Sequence, residues 1–215
     1  MSTKYSSTKT RTLTLFSLFA ALEIMLAVTP LGILRIGIIG ATTLHIPVII
    51  GAIVLGKGAG AGLGLIFGLI SVINATLNPT PTAFVFSPFV EFAGVSGGFR
   101  SLIVAIVPRI LAGFLPGLLF EVLQKRKVKI SVAIASAAVV GTLTNTVMVL
   151  GGIYLFFGHS YAQAMKIAYE ALLAMILTIV GTNGVAEVVL AVLVSLPICK
   201  ALGHVMARMS ASGKK

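Results

Sequence analysis

The sequence predicts an all-α membrane protein: a single domain over 1–215, built as a bundle of six transmembrane helices with both termini cytoplasmic. Three observations carry that expectation. Of 215 residues, 58% are hydrophobic and 10% charged, with a mean hydropathy of +1.11, so the surface of a soluble domain cannot be built. Six apolar stretches approach or exceed the ~20 residues that a helix needs to cross the ~30 Å hydrocarbon core. Finally, with the N-terminus inside, Lys4, Lys9, Arg11, Lys57, Lys125, Arg126, Lys127, Lys129, Lys200, Arg208, Lys214 and Lys215 all fall on the cytoplasmic side. Arg35, Arg100, Arg109 and Lys166 remain outside or within the membrane, and twelve against four requires an even number of spans.

The first helix is expected at 12–30, behind Lys4, Lys9 and Arg11. No small-residue cleavage site follows it, and Thr29-Pro30-Leu31-Gly32 reads as a turn, so it is a span rather than a signal peptide. The second, 38–56, is weakened at its start by Gly37, Gly40 and Pro47. The third, 59–77, carries Gly60, Gly64 and Gly68 every four residues, with Gly58 and Gly62 beside them. Such a stripe lets another backbone approach closely; Gly113 and Gly117 repeat it in the fourth helix, 99–123. Packing within the chain explains both better than oligomerisation. The fifth helix, 130–157, is long enough to require tilt, and the sixth covers 172–200.

Between the third and fourth helices, 78–98 holds Pro79, Pro81 and Pro88 with Phe84, Phe86, Phe89 and Phe92. It is too apolar for a solvated connector and either folds down as a lid or lies in the headgroup layer. Tyr154, Tyr161 and Tyr169 flank the outer ends of the last two helices as interface anchors.

Several chemistries are disfavoured. All five acids are Glu, which removes most magnesium-dependent phosphoryl-transfer schemes, since these hold the metal with Asp. The run from Gly51 to Gly58 approaches a phosphate-binding loop but ends in Gly58 where Ser or Thr would hold magnesium, so it reads as a helix end with cytoplasmic Lys57. Three scattered histidines make no metal cluster, and Cys199 is alone, a small apolar residue rather than half of a disulfide.

What the composition leaves is a polar interior. Glu23, Arg109, Asn145, Asn183 and Glu187 stand deep in apolar stretches, where polar groups are costly and mark a path, a site or a pairing. Thr142, Asn145 and Thr146 share one helical face, and Asn183 and Glu187 are four apart. With Arg109 they suit a small polar solute, the guanidinium binding an anionic group through its fork. Equally, Arg109 and Glu187 form an internal ion pair with the amides as interhelical glue. His45, one turn after Thr42, enters the second helix near its outer end, where Pro47 disturbs the first turns and frees polar groups. Glu23 is expected to be interior, paired or protonated.

Four stretches carry a family resemblance: Ala41-Thr-Thr-Leu-His-Ile-Pro-Val-Ile-Ile-Gly-Ala52, Pro81-Thr-Ala-Phe-Val-Phe-Ser-Pro-Phe89, Gly141-Thr-Leu-Thr-Asn-Thr-Val147 and Thr182-Asn-Gly-Val-Ala-Glu187. Together they resemble the substrate-binding S components of energy-coupling factor vitamin transporters, most of all the pantothenate-specific members. The resemblance implies a non-enzymatic membrane subunit that captures its vitamin at the outer face and then tilts while docked on a coupling subunit driven by two ATPases. ATP is then used by the partners, and this chain has no cofactor or metal of its own. Members of the group dock through small residues four apart on the first helix; Ser17 and Ala21 supply that spacing, whereas Ala20 is followed four later by Ile24. Pantothenate is a short anion with hydroxyls and an amide, which suits Arg109 among Asn, Thr and His. Asn78, Thr80, Thr82 and Phe84 are the expected lid contacts. Biotin shares the carboxylate, whereas cationic thiamine fits Arg109 poorly.

Two other classes compete. A self-sufficient secondary transporter would couple to protons through Glu23, Glu187 or His45, although no inverted repeat is evident. An intramembrane lipid enzyme would need an Asp pair, a metal cluster or a nucleophile–base motif, and none is present.

Overall fold

A computed structural model describes residues 2–29, 32–36, 39–92 and 94–212, the side chains of 2–9, 33–41 and 204–212 excepted. Pro30 and Leu31 of the expected turn, and the Lys4, Lys9, Arg35, Arg208, Lys214 and Lys215 side chains of the charge count, lie outside the described residues. Helix α1 (Ser2–Ala27) is followed by an antiparallel hairpin, β1 (Ile33–Ile36) with β2 (Ile39–Thr42), then α2 (His45–Leu55) and α3 (Lys57–Leu77). The outer connection holds a 3-10 turn at Ala83–Val85 and a two-residue hairpin, β3 (Glu91–Phe92) with β4 (Val95–Ser96). Helices α4 (Gly98–Lys125) and α5 (Ile130–Ala164) come next. Then α6 (Tyr169–Ile179) runs through a π-turn, Val180–Gly184, into α7 (Val185–Ser212).

Counting α6 to α7 as one rod, the described residues form six rods, and five of these are long and apolar enough to cross a bilayer. The sixth corrects the expected span at 38–56. Residues 39–42 are strand, and α2 has 11 residues, so it rises only ~17 Å. It is buried from His45 through Ile53, the mark of a helix enclosed by protein rather than by lipid. Gly37 and Gly40 disfavour helix while Ile33, Ile36 and Ile39 favour strand, which explains the hairpin, a small addition to an otherwise helical membrane fold. The fifth helix also runs on to Ala164, and the sixth starts at Tyr169 rather than at 172.

The glycines set the packing. Any Cβ at Gly60 would strike the Gly113 carbonyl, one at Gly64 the Arg109 carbonyl, and one at Gly113 the Gly60 carbonyl. Helices α3 and α4 therefore meet backbone to backbone along both stripes, which is packing within the chain. Leu65, Leu69, Ile73 and Leu77 line an exposed apolar stripe of α3, as a lipid-facing surface requires. At the other end Gly56 turns with φ +96°, a left-handed value that glycine tolerates, and starts α3 directly. Lys57 there pairs with Glu121 at 3.1 Å, so the near-match to a phosphate loop is a helix end.

Three apolar clusters hold the bundle among the described residues, and the smallest joins Ala162 to Leu172 and Ile176. One surrounds α2, with Phe19, Val48, Ile49, Leu63 and Ile134. Another anchors the outer connection, where Phe84 and Val85 pack on Val104, Val149, Ile153 and Phe157. Ser101 Oγ donates to the Phe84 carbonyl at 2.7 Å, and the Ser87 and Thr76 hydroxyls meet at 2.7 Å. Residues 83–87 thus fold inward as a cover, whereas Phe89, 80% exposed, points away.

Candidate functional site

The inward fold of 83–87 closes one side of a cavity of about 460 Å³, within the usual range for a small-molecule site. Thr42 comes from the end of β2 and Leu44 from the turn before α2, while Phe67, Ser71, Asn74 and Ala75 come from α3 and Asn78 follows it. Thr80, Thr82, Ala83 and Phe86 supply the cover; Arg109 comes from α4, Asn145, Thr146, Val149 and Leu150 from α5, and Ile179, Asn183 and Glu187 from the α6–α7 rod.

Nine residues expected from sequence therefore meet in one place: Thr42, Asn78, Thr80, Thr82, Arg109, Asn145, Thr146, Asn183 and Glu187. Three do not line it. Phe84 is fully buried in the outer cluster, edge-on to Phe157 at 5.7 Å, and holds the cover rather than touching the cavity. His45 and Thr142 are fully buried behind the wall. Phe67, Ser71, Asn74 and Phe86 join the wall without having been singled out as site residues. The signal for α3 is legible in retrospect: Phe67, Ser71, Asn74 and Asn78 recur at spacings of four, three and four, one helical face.

Arg109 is buried and not ion-paired with Glu187. One terminal nitrogen donates to the Val104 carbonyl of its own helix at 2.7 Å, and Nε has no protein partner. The guanidinium carbon lies 5.5 Å from the Phe67 ring centre and 5.1 Å from that of Phe86, two contacts that hold the cation between aromatic faces. Its backbone carbonyl lies against Gly64 of α3, where any side chain would strike it.

Glu187 is engaged elsewhere. One carboxylate oxygen accepts the Thr42 backbone N–H at 2.9 Å and the other the Thr146 hydroxyl at 2.9 Å. It ties the hairpin and α5 to the rod, and satisfies a backbone donor that would otherwise be costly at membrane depth. Asn145 Oδ1 is buried without a protein partner, whereas Asn183 Oδ1 takes a long 3.3 Å bond from Thr182. The π-turn places Asn183 and Glu187 on the cavity together: one extra residue per turn re-aims the face. The cavity wall thus carries a guanidinium, a carboxyl group and several side-chain amides. No cluster of potential metal ligands occurs among the described residues.

On α1, Ser17 and Ala21 are exposed four residues apart, while Ala20 is turned half-inward against the core.

A family model described as ECF transporter, substrate-specific component, matches residues 11–199. The chain belongs to that family. It is one of transporters rather than enzymes, and its multi-pass apolar helices suit the membrane. A relative, the pantothenic acid transporter PanT of Lactococcus lactis subsp. cremoris, is 43% identical over 162 residues, or 75% of this chain and 76% of the relative. This S component is thus a homologue of a pantothenate transporter.

Proposed function

We propose that this S component captures pantothenate from the outer face in the cavity built around Arg109. The observation that carries the reading is the state of Arg109: a buried cation, unpaired with any described acid, held between two rings on the wall of a polar cavity. A carboxylate completes it through charge-assisted bonds. The hydroxyl and amide end of the vitamin then lies toward Asn145, Asn74 and Glu187, whose oxygens accept further donors. Identity to the pantothenic acid transporter supports the choice of vitamin.

Delivery follows from the same reading. The subunit uses no cofactor of its own, docks through the exposed Ser17 and Ala21 face of α1 with Ala20 behind it, and tilts on a membrane coupling subunit driven by two ATPases. Both termini lie in the cytoplasm of the plasma-membrane protein, the buried α2 and its hairpin serving as the sixth crossing. The rival, a proton-coupled transporter working alone, would use Glu23, Glu187 or His45, and of these Glu187 already accepts two structural hydrogen bonds.

The test is binding of labelled pantothenate to purified wild type and Arg109→Ala, with folding checked by gel filtration. The variant is expected to stay folded and to lose roughly a hundredfold or more in affinity, the cost of truncating one partner of a buried charge pair. Unchanged affinity in a folded variant would remove Arg109 from the site.

A further inference from the structure

His45 and Thr142 stand behind the cavity wall, and the register of the helices shows what they stand beside. A Cβ at Gly113 would meet Val48 and one at Gly117 the Ala52 carbonyl, so α2 and α4 run parallel. One at Gly141 would meet Ile49 and the Ala112 carbonyl, and one at Gly152 the Val104 side chain, so α5 runs antiparallel to both. Ile49, Ala112 and Gly141 therefore share a level. Just outward of that level come Thr142, the next residue of α5, and then, about one turn further, Asn145 from α5, His45 from α2 and Arg109 from α4.

Five buried atoms within this turn find no protein partner: both imidazole nitrogens of His45, Thr142 Oγ1, Asn145 Oδ1 and Arg109 Nε. Each is costly if left dry, because a buried donor or acceptor without a partner loses its bond to water and gains none. Gathered from three helices into one layer that adjoins a polar cavity, they supply the two to four polar partners that a buried water needs. A cation is disfavoured beside the Arg109 charge, and Asn145 Oδ1 disfavours an anion.

We propose that bound water joins His45 and Thr142 to Asn145 and Arg109, forming a hydrated floor under the cavity through which the first two orient the latter two for the ligand. His45 and Thr142 are thus positioning residues. This role rests on the pantothenate reading, but the existence of the water layer does not.

The test uses wild type, Thr142→Val, His45→Leu and His45→Gln in detergent, each titrated with pantothenate and each melted without ligand. In a connected water layer an apolar replacement strands the remaining partners, so Thr142→Val and His45→Leu should melt lower than wild type and bind about tenfold or more weakly. His45→Gln, which keeps a donor and an acceptor, should recover affinity to within about threefold of wild type. Apolar variants that melt at or above the wild-type temperature would mean a dry layer, and overturn the proposal. Lowered melting with unchanged affinity, or no recovery in His45→Gln, would overturn the positioning role. If His45→Leu fails to fold, the near-isosteric Thr142→Val decides alone. If wild type binds no pantothenate, the proposed vitamin falls and the melting comparison still decides the layer.

Discussion

Arg109 and Glu187 show how position divides two charges that sequence alone would pair. Each stands deep in an apolar stretch, so both were legible as interior groups. Which of them would be engaged by the fold was not, because that depends on Thr42 and Thr146, brought to Glu187 by a hairpin and a helix distant in sequence. Glu187→Gln replaces one acceptor oxygen by an amide donor that faces an existing donor. It should lower the melting temperature by several degrees, on the order of 1–3 kcal/mol at roughly 2–4 °C each, as a thermal scan would record. Arg109→Lys keeps the charge but loses the planar fork that fits between Phe67 and Phe86. Titration should find its affinity between those of wild type and Arg109→Ala. Ser71 and Asn74 escaped notice because small polar residues that bond back to their own helix, as Ser71 does to Phe67, leave no mark in an apolar stretch.

The long helices were legible from length and hydropathy, since nothing but a span or an enclosed rod uses so many apolar residues. Helix α2 was not, because an apolar helix enclosed by protein and one facing lipid read alike; only Gly37, Gly40 and Pro47 hinted at the difference. The π-turn at Val180–Gly184 leaves no compositional trace at all. The glycine stripe was legible as a close approach but not as the support of Arg109. Gly64→Val would drive a side chain into the Arg109 carbonyl and should cost folded yield and thermal stability far more than Gly58→Val, whose Cβ meets nothing within 4 Å. On the outer connection, Ser101→Ala removes the bond that pins Phe84. Stopped-flow release of pantothenate should then be faster while the melting temperature falls only slightly, because the cover loosens before the bundle does.

The polar cavity and the exposed small-residue face of α1 lie on different parts of the molecule, which the proposed function assigns to ligand and partner respectively. A division of labour follows: the subunit alone should retain pantothenate, whereas proteoliposomes should accumulate it only when the coupling subunit and ATPases are present with ATP. Replacing Ser17 and Ala21 together by Leu should abolish that uptake and leave binding by the isolated subunit intact. The most direct measurement is calorimetric titration of the purified, detergent-solubilised chain with pantothenate, alongside biotin, thiamine, riboflavin and cobalamin. Saturable binding of pantothenate with stoichiometry near one, and none of the others, is the expected result. Saturable binding of a different vitamin, or of none by a verified folded sample, would contradict the assignment of this cavity to pantothenate.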